Sequence, residues 1–300
     1  MVKDVDLLEM TPFKVIRPLQ QSLPFIFNSP HSGRHYPQAF LDSTRLDPNT
    51  IRRSEDLFVD ELFSCMPDKG APLLHACFPR AYLDVNREPY ELDPKMFKGS
   101  LPSYANIRSI RVAGGLGTIA RVVAEAQEIY RHPIPVEEAL HRIETLYKPY
   151  HTQLRKLVAQ TYQQFQNAFL IDCHSMPSGD NRGNKDVRPD FVLGDRYGTS
   201  CTTELTDVVA ASLSDLGYTV SRNKPYAGGF ITEHYGRPNT GLHALQLEIN
   251  RGLYTNEAEL TKNDQFAILK NDLNTVFQQA FDMVELFDIK SDDRSPLAAE

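Results

Sequence analysis

The chain has 300 residues, 41% hydrophobic and 24% charged, with a formal net charge of -7 and a pI near 5.7. That length buries a core without metal or disulfide staples, so any metal is expected to serve catalysis rather than folding. The acidic balance argues against nucleic acid as a partner, and no run approaches the roughly 18 apolar residues of a membrane span.

The N-terminal stretch MVKDVDLLEM has no apolar core of a signal peptide, and the four cysteines (Cys65, Cys77, Cys173, Cys201) form no CxxC pair. Both features fit a reducing cytoplasm. Pro24–Phe27 is a short apolar run ending in Asn28-Ser29-Pro30-His31-Ser32-Gly33, and it is predicted as a buried strand entering a turn. Ser54 is predicted to cap a helix through Met66, with Glu55 and Asp56 in its first turn. Strands are expected at Pro72–Phe78 and Arg80–Asn86, and a helix at Ile119–Tyr130 after the turn Gly114-Gly115-Leu116-Gly117. A long helical region then runs from Pro135 to about Gln166, with a kink at Pro149.

Ala168–His174 reads as a strand ending in an irregular loop, Ser175–Arg188. A helix at Thr203–Leu216, a strand at Tyr218–Arg222, a loop at Tyr226–Gly241, a strand at His243–Asn250 and a helix at Glu257–Phe287 complete the pattern. The alternation implies one α/β domain, residues 1–290, with a largely parallel sheet covered on both faces. Residues 291–300 are expected to be a disordered tail.

Three side chains stand out because each sits at or near the end of a predicted strand: His31, His174 and Glu248. Strand ends form the ligand crevice of open α/β sheets. Two histidines with a carboxylate make a catalytic zinc set with one position open for water. Strand alternation places Asp172 on the same face as His174, where it can orient the imidazole, and turns Cys173 away. Glu248 shares a face with Gln246 and Asn250, whereas Leu245, Leu247 and Ile249 share the other.

Seven segments, in order from about Pro24 to Tyr254, resemble the N-formylglutamate amidohydrolase (N-formylglutamate deformylase) family. They are Ser29-Pro30-His31-Ser32-Gly33-Arg34, Glu55–Leu62, Arg80–Arg87, Asp172-Cys173-His174-Ser175, Pro189–Gly194, Gly228–Gly236 and His243–Glu248. The family looks like a distant branch of the zinc carboxypeptidases. The resemblance implies a three-layer α/β/α fold with a mixed, largely parallel central sheet, and a Zn2+ cofactor. It further implies His31, Asp56 and His174 as metal ligands and Glu248 as general base. Asn86 and Arg87 would bind a substrate carboxylate, and His243 (or His234) would assist at the substrate. Where the carboxypeptidase pattern has a glutamate ligand three residues after the first histidine, this chain has Arg34. The third ligand therefore comes from the Glu55-Asp56 pair, with Asp56 favoured and Glu55 open.

The implied reaction is hydrolysis of N-formyl-L-glutamate to formate and glutamate, as in histidine breakdown. The partner is then a small anionic N-acyl amino acid, with no nucleic acid and no membrane. Arg237, Lys224 and Arg251 remain open for the second carboxylate. Another N-acyl amino acid, or a non-catalytic binding role on the same fold, are the competing readings.

Overall fold

Two nine-residue strands with strict alternation organise the molecule. In this computed structural model, which describes residues 11–123, 126–179 and 188–292, seven strands form the central sheet. They are β1 (Phe13–Ile16), β2 (Phe25–Ser29), β3 (Leu73–Ala76), β4 (Ala168–Met176), β5 (Phe191–Gly194), β6 (Val220–Arg222) and β7 (Leu242–Asn250). Their spatial order is β1-β3-β2-β4-β7-β5-β6. The inner strands β3, β2, β4 and β7 are parallel, whereas β1 and β5 run antiparallel to their inner neighbours.

Alternation along β4 and β7 splits the interior into two cores. Phe169, Ile171, Cys173, Leu245, Leu247 and Ile249 face one. Against them pack α3 (Thr203–Asp215) and α4 (Phe266–Asp292). Ala168, Leu170 and Ala244 face the other. That side is covered by α1 (Val136–Arg142), which passes through a π-helical turn at Ile143–Tyr147 into α2 (Lys148–Phe165). The expected three-layer α/β arrangement with a mixed sheet is therefore observed. No helix among the described residues is long and apolar enough to cross a membrane.

Pro149 falls in the first turn of α2, directly after the π-helical turn. The π turn re-spaces the hydrogen bonds there, where a proline N–H is not needed. Several expectations fail for tertiary reasons. Arg80–Asn86 is a run of turns rather than a strand. Its alternating Ala81, Leu83 and Val85 are buried, but Tyr82 and Leu83 donate back to Pro79, and Asp84 N–H bonds Thr118 across the loop. Ile119–Tyr130 holds a small hairpin, Val122–Val123 with Gln127–Glu128, instead of a helix. Within Ser54–Met66 only Val59–Leu62 is α-helical, and it begins after Phe58, whose φ of 58° breaks the helix on its N-terminal side. The loop 226–241 contains the helix Phe230–Tyr235. The last helix starts at Phe266, because Thr255–Asn256 and Thr261–Lys262 pair as a hairpin. β1 and β5, both short, had not been expected as strands. Part of the Ser175–Arg188 loop (180–187) and most of the expected tail (293–300) lie outside the described residues.

The turn after β2 depends on Gly33. A Cβ there would lie 2.1 Å from the Phe78 carbonyl oxygen, so only glycine lets the His31 loop rest on the chain leaving β3. Gly33→Ala should therefore cost about 1–3 kcal/mol of stability. Urea denaturation of both proteins checks this; an unchanged midpoint would show that the loop does not rest where the structure puts it.

Candidate metal centre and active site

β2 and β4 are adjacent and parallel, yet β2 leads to β3 on one side of the sheet and β4 leads to β5 on the other. Such a reversal of connection leaves a crevice at the carboxyl ends of the two strands. His31 lies just past the end of β2. His174 lies near the end of β4, directly opposite Glu248 of β7 in the strand register. Asp56 comes from the turn before Val59–Leu62, and its backbone N–H donates to the His31 carbonyl at 3.0 Å.

Both imidazoles are oriented by carboxylates. His31 Nε2 lies 2.8 Å from Asp84 Oδ1, and His174 Nε2 lies 2.9 Å from Asp172 Oδ2. The two Nδ1 atoms converge on one oxygen, Asp56 Oδ2, at 3.4 Å from His31 and 2.9 Å from His174. A histidine that gives its Nε2–H to a carboxylate keeps the Nδ1 lone pair for a ligand.

Asp56 and Asp172 have no solvent exposure, and His31, Asp84 and His174 are buried. Burial would push the Asp56 carboxyl up, but the His174 hydrogen bond and the charges of His31 and His174 hold it well below its usual range. Burial likewise works against the ionised Asp84, and the charges of Arg87, His31 and Arg80 outweigh it. Burial would depress His174, yet the charge of Asp172 and the bonds to both aspartates lift it well above an ordinary imidazole.

This arrangement fits a metal ion. Ligand atoms of His31, Asp56 and His174 lie within 4.8 Å of one another. Fully buried His31 Nδ1 has no hydrogen-bond partner, and it faces the same Asp56 oxygen as His174 Nδ1, so two imidazole nitrogens and a carboxylate converge as a divalent-ion donor set. Glu55 does not reach the cluster. Arg52 holds its carboxylate in two hydrogen bonds, at 2.9 and 3.2 Å, and Tyr36 donates a third at 2.7 Å.

Glu248 is buried beside this cluster. Its Oε1 accepts from Gln246 Nε2 at 2.9 Å, and Gln246 Oε1 in turn accepts from Gly229 N–H at 2.8 Å. Oε2 has no hydrogen-bond partner among the described residues. Burial pushes the Glu248 carboxyl up, and the Asp56 charge adds to this, while His174 and Arg80 oppose it.

A cleft of about 650 Å³ opens over these groups, and Arg53, Arg80, Arg87, Arg111 and Arg251 all line it. Arg87 gives Nε to the Leu116 carbonyl at 2.9 Å and Nη1 to the Asn86 carbonyl at 2.8 Å, and its Nη2 sits 3.6 Å from Asp84. Asn86 also borders the cleft, but its amide is engaged within the protein. Nδ2 reaches His174 Nε2 (3.1 Å) and Asp172 (3.3 Å), and Oδ1 accepts from Ile231 N–H at 2.8 Å.

His243 requires a correction. It lies at the opposite end of β7 and on the opposite face from Glu248, stacked on Phe169 at 4.5 Å, and it does not line the cleft. His234 stacks on Phe230 and is likewise outside the cleft, as are Arg237 and Lys224. Cys173 faces the far core, where burial pushes its thiol well up, so it is no nucleophile. Asp84, Arg80, Arg111 and Gln246 are the groups whose roles sequence reasoning missed. Asp84 carried a usable signal: a carboxylate amid the apolar Ala81, Leu83 and Val85, the argument that had singled out Glu248.

The sequence matches the profile of the N-formylglutamate amidohydrolase family over residues 23–255. The chain belongs to this family. A crystal structure of N-formylglutamate amidohydrolase from Ralstonia eutropha JMP134 is 36% identical and superposes with a TM-score of 0.85, covering 92% of this chain and 98% of that one. An N-formylglutamate deformylase of Pseudomonas putida is 28% identical over 249 residues, 82% of this chain and 87% of its own length. One from Pseudomonas aeruginosa is 27% identical over 240 residues, 78% and 83% of the two lengths. Amidohydrolase activity is what these relatives support.

The purified family member is expected to hold about one divalent ion per chain. Asp56→Asn should lose it and Glu55→Gln should keep most of it, as read by elemental analysis. Retention in Asp56→Asn with loss in Glu55→Gln would reverse the assignment.

Proposed function

We propose that this protein is a zinc-dependent amidohydrolase that cleaves N-formyl-L-glutamate to formate and L-glutamate. The observation carrying this reading is the pairing of the His31–Asp56–His174 cluster with an unpartnered carboxylate oxygen of Glu248 beneath an arginine-lined cleft. The substrate class comes from the family and from the names of the relatives. Zinc held by His31, Asp56 and His174 would supply Lewis acidity toward a carbonyl oxygen and toward water.

The chain's own residues do the rest. Glu248 Oε2 takes a proton from the attacking water and passes it to the departing amine nitrogen as the formyl C–N bond breaks. A carboxyl raised by burial suits both halves of that transfer. Gln246 holds Oε1, which fixes the direction in which Oε2 points. Arg80 gives Nε to Asp84 at 3.0 Å, while its terminal nitrogens have no hydrogen-bond partner among the described residues. Its nearest charges include Asp84, Asp56 and Glu248, so it is the cation at hand for negative charge developing on the carbonyl oxygen. Arg87 offers the fixed guanidinium for the α-carboxylate.

A formate-release assay on N-formylglutamate, N-formylaspartate and N-acetylglutamate tests the reading, with N-formylglutamate expected to be the best substrate. Glu248→Gln should bind metal and fold normally yet lose roughly 10²–10⁴ in turnover. Its substrate affinity should change far less, since a proton carrier acts in the transition state. Near-normal turnover in that variant would contradict Glu248 as the base, and a preference for another acyl group would contradict the substrate.

A further inference from the structure

A substrate with two carboxylates needs two cationic partners, and sequence reasoning left the second open. The structure narrows the choice. Arg237 and Lys224 do not border the cleft. Arg251 is committed through all three nitrogens, giving Nε to Ser175 Oγ (3.0 Å), Nη1 to the Arg53 carbonyl (2.9 Å) and Nη2 to Asp56 Oδ1 (3.4 Å), whereas Arg87 keeps Nη2 without a hydrogen bond among the described residues, 3.6 Å from Asp84.

Arg111 is placed differently. It sits on the short helix Ile110–Ala113, capped by Ser109, and the chain then folds back so that Leu116 N–H bonds the Arg111 carbonyl at 2.8 Å. The same returning segment is fastened to the loop of the metal centre. Leu116 O accepts from Arg87 Nε at 2.9 Å, Thr118 O accepts from Asp84 N–H at 2.8 Å, and Thr118 N–H donates to Glu91 O at 2.8 Å. Gly117 permits this approach, since a Cβ there would lie 2.2 Å from the Glu91 carbonyl oxygen. Arg111 is thereby held beside Arg87 on the wall of one cleft, a step further along the chain of contacts from His31 through Asp84 and Arg87.

Its guanidinium has no hydrogen bond to a protein acceptor among the described residues. Its nearest acid, Glu91, is 3.8 Å away, which is an ion pair too long for a hydrogen bond. The side chain keeps 36% exposure, so its planar face of donors is open to a ligand. Charge points the same way. Burial makes Arg87 less comfortable as a cation, and the positive charges of Arg80 and Arg111 add to that, with Asp84 and Glu91 opposing. Between two such guanidinium groups a second anion is stabilised. The apolar Leu116, Ala120 and Val122 on the same wall suit the methylenes between two carboxylates.

We propose that Arg111 is the specificity-determining residue of the cleft: it receives the side-chain carboxylate of the substrate, while Arg87 receives the α-carboxylate. This rests on the N-formylglutamate reading above.

The test compares two substrates on each protein: N-formyl-L-glutamate and N-formyl-L-glutamine, which has the same length without the side-chain charge. The wild type should prefer the glutamate form. Arg111→Gln should lower its kcat/KM for N-formylglutamate by about 10–150-fold, the loss of a charged hydrogen-bonded pair, mainly through KM. The preference then collapses toward unity, and Arg111→Lys, which keeps the charge but not the fork, should recover part of it. Arg87→Gln, by contrast, should impair both substrates together. An unchanged preference in Arg111→Gln overturns the assignment, and so does a loss shared equally by both substrates. A preference that collapses in Arg53→Gln but survives in Arg111→Gln also overturns it, in favour of Arg53. A wild type inactive on both substrates refutes the underlying function, a result distinct from an active wild type whose preference Arg111→Gln leaves in place.

Discussion

The structure depends on a carboxylate held without solvent between two imidazoles. Asp56 is fully buried and meets His31 and His174 through a single oxygen, and each imidazole has a second buried aspartate behind it. An unpaired ionised carboxylate in this position would be strongly unfavourable, so the surroundings are shaped to compensate it. The loop 79–91 brings Asp84 and Arg80, the turn 53–56 brings Asp56, and Arg251 reaches in from beyond β7 to Ser175 and Asp56. These segments have little regular structure of their own, because their backbone and side-chain bonds run to one another.

The same electrostatics let an acidic protein carry a cationic cleft. The net charge of -7 is a property of the whole surface, whereas binding responds to the local field. Five arginines line the cleft around the candidate metal cluster. The carboxylates there are engaged with imidazole, arginine or Gln246, which leaves guanidinium charge to dominate the local field. Glu248 is the exception, with one oxygen held by Gln246 and the other without a hydrogen-bond partner among the described residues.

Legibility in the sequence followed the range of the interactions. β2, β4 and β7 could be read because burial on both faces leaves apolar runs, and a polar residue at their ends stands out. His31, His174 and Glu248 were found in that way, and the parity argument that placed Asp172 with His174 matches their contact. The same parity, applied to β7, would have removed His243: it is five residues from Glu248 and so on the other face. The Glu55–Asp56 ambiguity could not be resolved locally, since it turns on Arg52 and Tyr36 claiming one carboxylate and His31 and His174 the other. Arg80–Asn86 and Ile119–Tyr130 misled because buried turns show the same apolar alternation as strands and helices. Contacts such as Asp84 N–H to Thr118 O decide between them, and those contacts are invisible to periodicity.

The central claim is that the two Nδ1 atoms and Asp56 form a metal site because Asp84 and Asp172 hold the opposite ring nitrogens. Anomalous diffraction at the zinc edge from crystals of the purified protein tests this most directly. The account predicts one strong peak enclosed by His31, Asp56 and His174 on the Nδ1 side of both rings. A peak bound elsewhere, or through the Nε2 atoms with Asp84 and Asp172 displaced, would contradict it.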